Sequence, residues 1–170
     1  GDRDHGVDDE HRGECSRAGD TFHCAFTVDK AEFNQMKPTT QPLISIVIPC
    51  LNEEKTIASL LEAIRAQTID LGTMEVVIAD ALSTDNTRKI IEDYCASHTA
   101  LKVLIVDNEK KVIPFGLNKA IRAARGEIIL RMDAHAVPAM DYVQRCVDAL
   151  SAGLGDNVGG VIDIKQSKNS

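Results

Sequence analysis

Asp133 and His135 stand two residues apart behind a short strand expected at 127–132, with Ala134 between them. A carboxylate and an imidazole can both ligate a divalent cation, and a cation held there can grip a diphosphate. An isolated Asp-x-His is common by chance and serves as well for a turn with a solvated histidine. Two further polar groups shift that balance. Pro49-Cys50-Leu51-Asn52-Glu53-Glu54 follows one β-branched run, and Asp80 with Ser83, Thr84 and Asp85 follows another. A carboxylate placed like Asp80 can accept hydrogen bonds from a base or a ribose.

These groups need elements to bring them together. The run at 43–49 is continuously β-branched rather than alternating, as expected for a strand buried on both faces of a parallel sheet, and 74–79, 101–106 and 127–132 read as three further strands. Asn52 is expected to cap the first helix, with Glu53 and Glu54 in its first turn, where the helix dipole favours acids. Ile57, Leu60, Leu61 and Ile64 then form one apolar face at i, i+3, i+4 and i+7. A second helix turns Thr87, Ile90, Ile91 and Tyr94 inward. A third, at 115–125, uses Leu117, Ala120, Ile121 and Ala124 and is stopped by Gly126. A fourth, at 139–152, uses Val143, Cys146, Val147 and Leu150, and a last strand is expected at 161–164. The alternation predicts an α/β fold, a doubly wound, mostly parallel sheet with helices on both faces. All the strand ends then open onto one edge, so the three polar groups share a crevice.

Composition narrows the function. Hydrophobic residues make up 44% of the 170 and charged ones 26%, which suits one globular domain. Of the net charge of −7, most falls in the first 35 residues, which hold nine acids and four bases. Lys and Arg form no long patch and aromatics are scarce, which argues against a nucleic-acid partner. No apolar run is long enough to span a membrane. Residues 1–41 lack either periodicity and read as a mobile arm, with Met36 as a natural start and 42–170 as the folded domain. The five cysteines are odd in number and include no C-x-x-C, which points to a reducing cytoplasm. His11, Cys15, His23 and Cys24 match no usual zinc spacing. Neither G-x-G-x-x-G nor G-x-x-x-x-G-K-[ST] is present. A carboxylate-lined crevice without a phosphate-gripping glycine loop needs a metal to hold a diphosphate.

ISIVIPCLNEEKTI, VVIADALSTDNT and GLNKAIRAARGEIILRMDAH, in that order, resemble the successive blocks of family 2 glycosyltransferases. These are inverting, sugar-nucleotide-dependent enzymes with the GT-A fold. The last block is most similar to bacterial exopolysaccharide glucosyltransferases of the succinoglycan type. The resemblance covers about residues 42 to 165. It implies that Pro49, Asn52 and Glu54 border the nucleoside, that Asp80 contacts the uracil or ribose, and that Asp133 lies by the ribose and diphosphate. It implies a phosphate approach for Lys111 and a metal-ligating place for His135 beside Asp133. The implied partners are a UDP-sugar, UDP-glucose by the nearest look, and a saccharide or lipid-linked saccharide acceptor. The implied cofactor is Mn²⁺ or Mg²⁺, with Mn²⁺ favoured because imidazole is a softer ligand than carboxylate.

This chain also departs from the family pattern. Asp80-Ala81-Leu82-Ser83 stands where the family often has Asp-Asp-Gly-Ser, and His135 replaces the second acid of the usual D-x-D. The family's catalytic base lies well beyond that block, whereas 37 residues follow Asp133 here, with Asp156 and Asp163 the only carboxylates in the Gly-rich end. The base is therefore unassigned and the acceptor half is expected to be missing, which would expose an apolar face and favour self-association. A longer chain could also meet the inner face of the cell membrane. Two other readings stay open. One is a non-catalytic sugar-nucleotide-binding module, and the other a nucleotidyltransferase, for which the Gly- and Lys-rich phosphate loop is lacking.

Overall fold

The computed structural model describes residues 43–159. Four strands, β1 (Ile44–Cys50), β2 (Met74–Asp80), β3 (Lys102–Asp107) and β4 (Ile128–Arg131), form one sheet in the order β3-β2-β1-β4. Every pairing is parallel. β1 and β2 are central, and nearly every residue in them is buried. That is why their sequences run apolar without alternation.

Four helices cover the sheet: α1 (Ile57–Arg65), α2 (Thr87–Ser97), α3 (Ile113–Ala123) and α4 (Tyr142–Ser151). On one face Ile44, Ile46, Ile48, Val76 and Ile78 pack with Ile57, Leu60, Leu61 and Ile64 of α1, Ile91 of α2, and Val143 and Cys146 of α4. On the other face Val47, Val77 and Ala79 meet Ala120 of α3, with Leu117 and Ile121 beside them. Right-handed crossovers between parallel strands place helices in this way on both faces. The result is the doubly wound α/β sheet that the alternation predicts.

The α3–β4 junction is fixed by a buried polar cluster. Ser45 donates its hydroxyl to Glu75 Oε1 at 2.6 Å, and the Arg125 N–H and guanidinium reach the same carboxylate at 2.6 and 2.9 Å. The Gly126 N–H donates to Ser45 Oγ at 2.8 Å. A Cβ at Gly126 would lie 2.6 Å from the Ser45 backbone nitrogen, so the chain can cross here only at glycine. Partial burial works to raise the Glu75 carboxyl, but the bonds from Ser45 and Arg125 prevail and hold it below its ordinary value.

Several boundaries differ from expectation. α1 starts at Ile57 after Thr56, so Asn52 does not cap it and Glu53 and Glu54 lie outside its first turn. α3 begins at Ile113, two residues early, because Pro114 sits in its first turn, where a missing N–H costs nothing. It ends at Ala123, since Ala124 is already extended, with ψ 143°. β4 is two residues shorter than the strand expected at 127–132, and α4 starts three residues after position 139. The expected strand at 161–164, the arm 1–41, Asp163 and the His11, Cys15, His23, Cys24 group lie outside the described residues. Among the described residues Cys50, Cys95 and Cys146 are free thiols, and no helix is long and apolar enough to cross a membrane.

Candidate functional site

The parallel register aligns Cys50, Asp80 and Asp107 in one row, the C-terminal ends of β1, β2 and β3. β4 stops opposite Val47, three residues short of the end of β1. The chain leaving β4 therefore folds across the top of β1. Met132 and Ala134 are buried, while Asp133 and His135 between and beyond them stay exposed.

The β1–α1 and β2–α2 loops are laced together. The backbone N–H groups of Asn52, Glu53 and Glu54 donate to Ser83 Oγ, Thr87 Oγ1 and Asp85 Oδ2 at 2.9, 2.7 and 3.2 Å. In return Asn52 Oδ1 accepts the Thr84 N–H at 2.9 Å, and Glu54 Oε2 accepts the Asn86 N–H at 3.1 Å. Asn52 makes this possible by adopting φ +54°, a left-handed conformation that asparagine tolerates better than most residues. Five loop donors are thereby satisfied by the facing loop and the first residue of α2. Asp85 is held below the ordinary carboxyl value, because bonds from Thr87 and from the Glu54 N–H outweigh its partial desolvation.

Asp80 is fully buried. Its carboxylate accepts the Ser83 N–H and hydroxyl and lies 3.2 Å from Arg88 Nε, while Arg88 also pairs with Asp107. It thus braces the ends of β2 and β3 and presents no surface of its own to a nucleoside. A base or ribose reaches it only if Ser83 or Arg88 gives way. Cys50, next to it in the row, has its thiol pushed up to about 12 by burial and by the nearby Asp80, Glu53 and Asp85 carboxylates. It is a packing residue, not a nucleophile.

Pro49 is half-buried within β1, opposite Ala79. Lys111 lies in the β3–α3 loop at the same sheet edge, exposed, with φ +54° and no ion pair among the described residues. Asp133 and His135 each present one donor atom that is engaged and one that is not. Arg131 donates from Nη2 to Asp133 Oδ1 at 3.0 Å, leaving Oδ2 without a hydrogen bond among the described residues. His135 Nδ1 lies 3.4 Å from Glu53 Oε1, leaving Nε2 without a hydrogen bond among the described residues. The side chains of Asp133 and His135 are 49% and 67% exposed, so both reach solvent. Among the described residues no group of three or more His, Cys, Asp and Glu could hold a metal ion by itself. Two protein donors with open coordination suit a cation that arrives with the oxygens of a phosphorylated ligand.

The structure thus gathers all seven sequence-predicted residues along one sheet edge. Asn52 and Glu54 act there through the loop lacing, and Asp80 as a buried brace. Arg88 and Arg131 are additions of the structure, and Glu53, expected in the polar group after β1 and in the first turn of the helix, gains a contact to His135. Arg131 could have been found from its i, i+2 spacing to Asp133 along a strand, which puts both on one face. Arg88 had no local signal.

The family model described as "Glycosyl transferase family 2" matches residues 45–170. The chain belongs to that family. It is 40% identical over 111 residues to the succinoglycan biosynthesis protein ExoA of Rhizobium meliloti, covering 64% of this chain and 33% of that protein. Among solved structures it resembles the Pyrobaculum calidifontis mannosyltransferase PcManGT in complex with GDP-Man and Mn²⁺. There the TM-score is 0.62 at 31% identity, over 66% of this chain and 33% of that one. It also resembles Staphylococcus aureus TarS 1-349 in complex with UDP-GlcNAc, with a TM-score of 0.56 at 25% identity over 65% and 32% of the two chains. The sheet is accordingly the GT-A, Rossmann-like sheet of these glycosyltransferases, and this chain spans about a third of the relatives it matches.

Proposed function

We propose that the chain is the nucleotide-sugar-binding part of an inverting glycosyltransferase. Its donor is a UDP-sugar, UDP-glucose first among them, and its acceptor is a growing saccharide or lipid-linked saccharide in exopolysaccharide biosynthesis. The reaction belongs in the cytoplasm, at the inner face of the membrane for a longer chain. The observation that carries this reading is the pair of unengaged donors, Asp133 Oδ2 and His135 Nε2, on the open edge of a family 2 sheet. The name of the Rhizobium relative supports the exopolysaccharide setting, and the TarS complex supports a uridine nucleotide.

Asp133 and His135 would hold a divalent cation, Mn²⁺ in preference to Mg²⁺ given the imidazole. When bound, the cation supplies positive charge that assists departure of the diphosphate. The residues of the chain do the rest. The laced loops fix the walls of the nucleoside side before any ligand arrives, so little ordering is left for the moment of binding. Lys111, exposed at the same edge and without an ion pair among the described residues, is placed to meet phosphate charge. The acceptor hydroxyl then attacks the anomeric carbon opposite the leaving UDP, with its proton taken by a general base. No described residue is assigned that role.

A sugar-nucleotide-binding module without turnover is the second reading, favoured by the unassigned base. Release of UDP from UDP-glucose separates the two. Slow Mn²⁺-dependent release by this chain, lost in Asp133→Ala, supports the enzyme, whereas tight UDP binding with no release under any condition supports the module.

A further inference from the structure

We infer that Glu53 is a positioning residue that selects the ring tautomer of His135, proton on Nδ1 and lone pair on Nε2, so that Nε2 is ready to ligate a cation. The inference rests on the reading of Asp133 and His135 as metal ligands. Glu53 is itself held on several sides. Its backbone N–H donates to Thr87 Oγ1 at 2.7 Å, and its Oε2 accepts the Thr56 hydroxyl at 2.5 Å. Its side chain is 25% exposed, against 67% for His135, so the carboxylate is the fixed partner and the imidazole the mobile one.

The remaining oxygen, Oε1, faces His135 Nδ1 at 3.4 Å. A proton on Nδ1 turns that approach into an N–H···O bond. A proton on Nε2 instead sets the Nδ1 lone pair against carboxylate charge and blocks the open nitrogen. An imidazole held by a carboxylate through one nitrogen while the other ligates is a recurrent outer-shell arrangement, which fixes ring orientation and strengthens the ligand. Arg131 treats the neighbouring donor in the same way, occupying Asp133 Oδ1 and leaving Oδ2. The two donors are thus each oriented by a residue of opposite character before any cation arrives. Glu53 and His135 are 82 residues apart in sequence, which is why neither motif alone discloses the link.

The test uses the ¹⁵N-histidine-labelled chain, with His135→Ala to assign the ring signals. Long-range ¹H–¹⁵N spectra of the metal-free protein, at a pH where the ring is neutral, report the tautomer directly. The intact chain is expected to show Nδ1–H. Glu53→Ala is expected to lose it, and Glu53→Gln, whose amide oxygen still accepts, to keep it and to guard against a folding defect. In parallel, Mn²⁺ is titrated in the presence of UDP. Glu53→Ala is expected to bind Mn²⁺ about ten- to a hundredfold more weakly, with Glu53→Gln between it and the intact chain. An Nε2–H tautomer in the intact chain overturns the inference, as does a tautomer change that leaves Mn²⁺ affinity untouched. Weaker Mn²⁺ binding with an unchanged tautomer makes Glu53 a ligand and overturns it too. If Asp133→Ala and His135→Ala abolish Mn²⁺ binding and Glu53→Ala leaves it unchanged, only this inference falls. If the intact chain binds no Mn²⁺ with UDP, the metal reading fails and the inference goes with it.

Discussion

Asp80 and Arg88 carry opposite charges at the ends of β2 and α2, and their pairing decides what Asp80 can do. The carboxylate is wholly inside, while Arg88 is 38% exposed. Removing the cation leaves a buried charge supported by Ser83 alone, which is far costlier than losing a surface pair. Arg88→Ala is therefore expected to lower stability by about 2 kcal/mol, discounted from a fully buried pair because the arginine is partly wetted. Urea unfolding of the two proteins measures it, and a loss below about 0.5 kcal/mol, the range of ordinary surface changes, would show that Asp80 does not depend on Arg88. The sequence shows Asp80 as an acid at a strand end, and the family resemblance implies its contact to the uracil or ribose. Neither shows Arg88 beside it, since Arg88 lies on a helix with no patterned spacing to either of its partners.

At the scale of elements, the β1–α1 and β2–α2 loops behave as one unit through bonds between residues 31 to 34 apart. Asn52 contributes twice, through its left-handed backbone and through Oδ1. Two substitutions separate the parts. Asn52→Gly keeps the conformation and is expected to cost about 1 kcal/mol for the lost hydrogen bond. Asn52→Ala adds left-handed strain and is expected to cost about 1 kcal/mol more. Equal melting temperatures for the two variants would mean that the backbone at Asn52 is not constrained. Strand and helix identities were legible, because β-branched runs and 3.6-residue periodicity are local signals. The start of α1 was not. Asparagine suits a helix cap and a left-handed turn equally well, and the partner that decides between them lies on another loop. The same reason hid the role of Glu53, whose neighbours Thr87 and His135 come from two other elements.

Over the whole molecule, both sheet edges are left unpaired and several apolar side chains uncovered among the described residues. β3 pairs with β2 alone and β4 with β1 alone, and Val137, Leu154 and Met140 are 88%, 78% and 66% exposed. Unpaired edges and exposed apolar groups favour association. The chain is expected to form concentration-dependent oligomers in light scattering, and a monodisperse monomer at high concentration would count against this. The proposed donor site takes its walls from the laced loops and its charge from Asp133 and His135, all within the described residues. Calorimetric titration of UDP with and without Mn²⁺, on the intact chain and on Asp133→Ala, therefore tests the central claim most directly. UDP binding that strengthens with Mn²⁺ and loses that gain in Asp133→Ala is the predicted result. UDP binding that is indifferent to both Mn²⁺ and the substitution would contradict it.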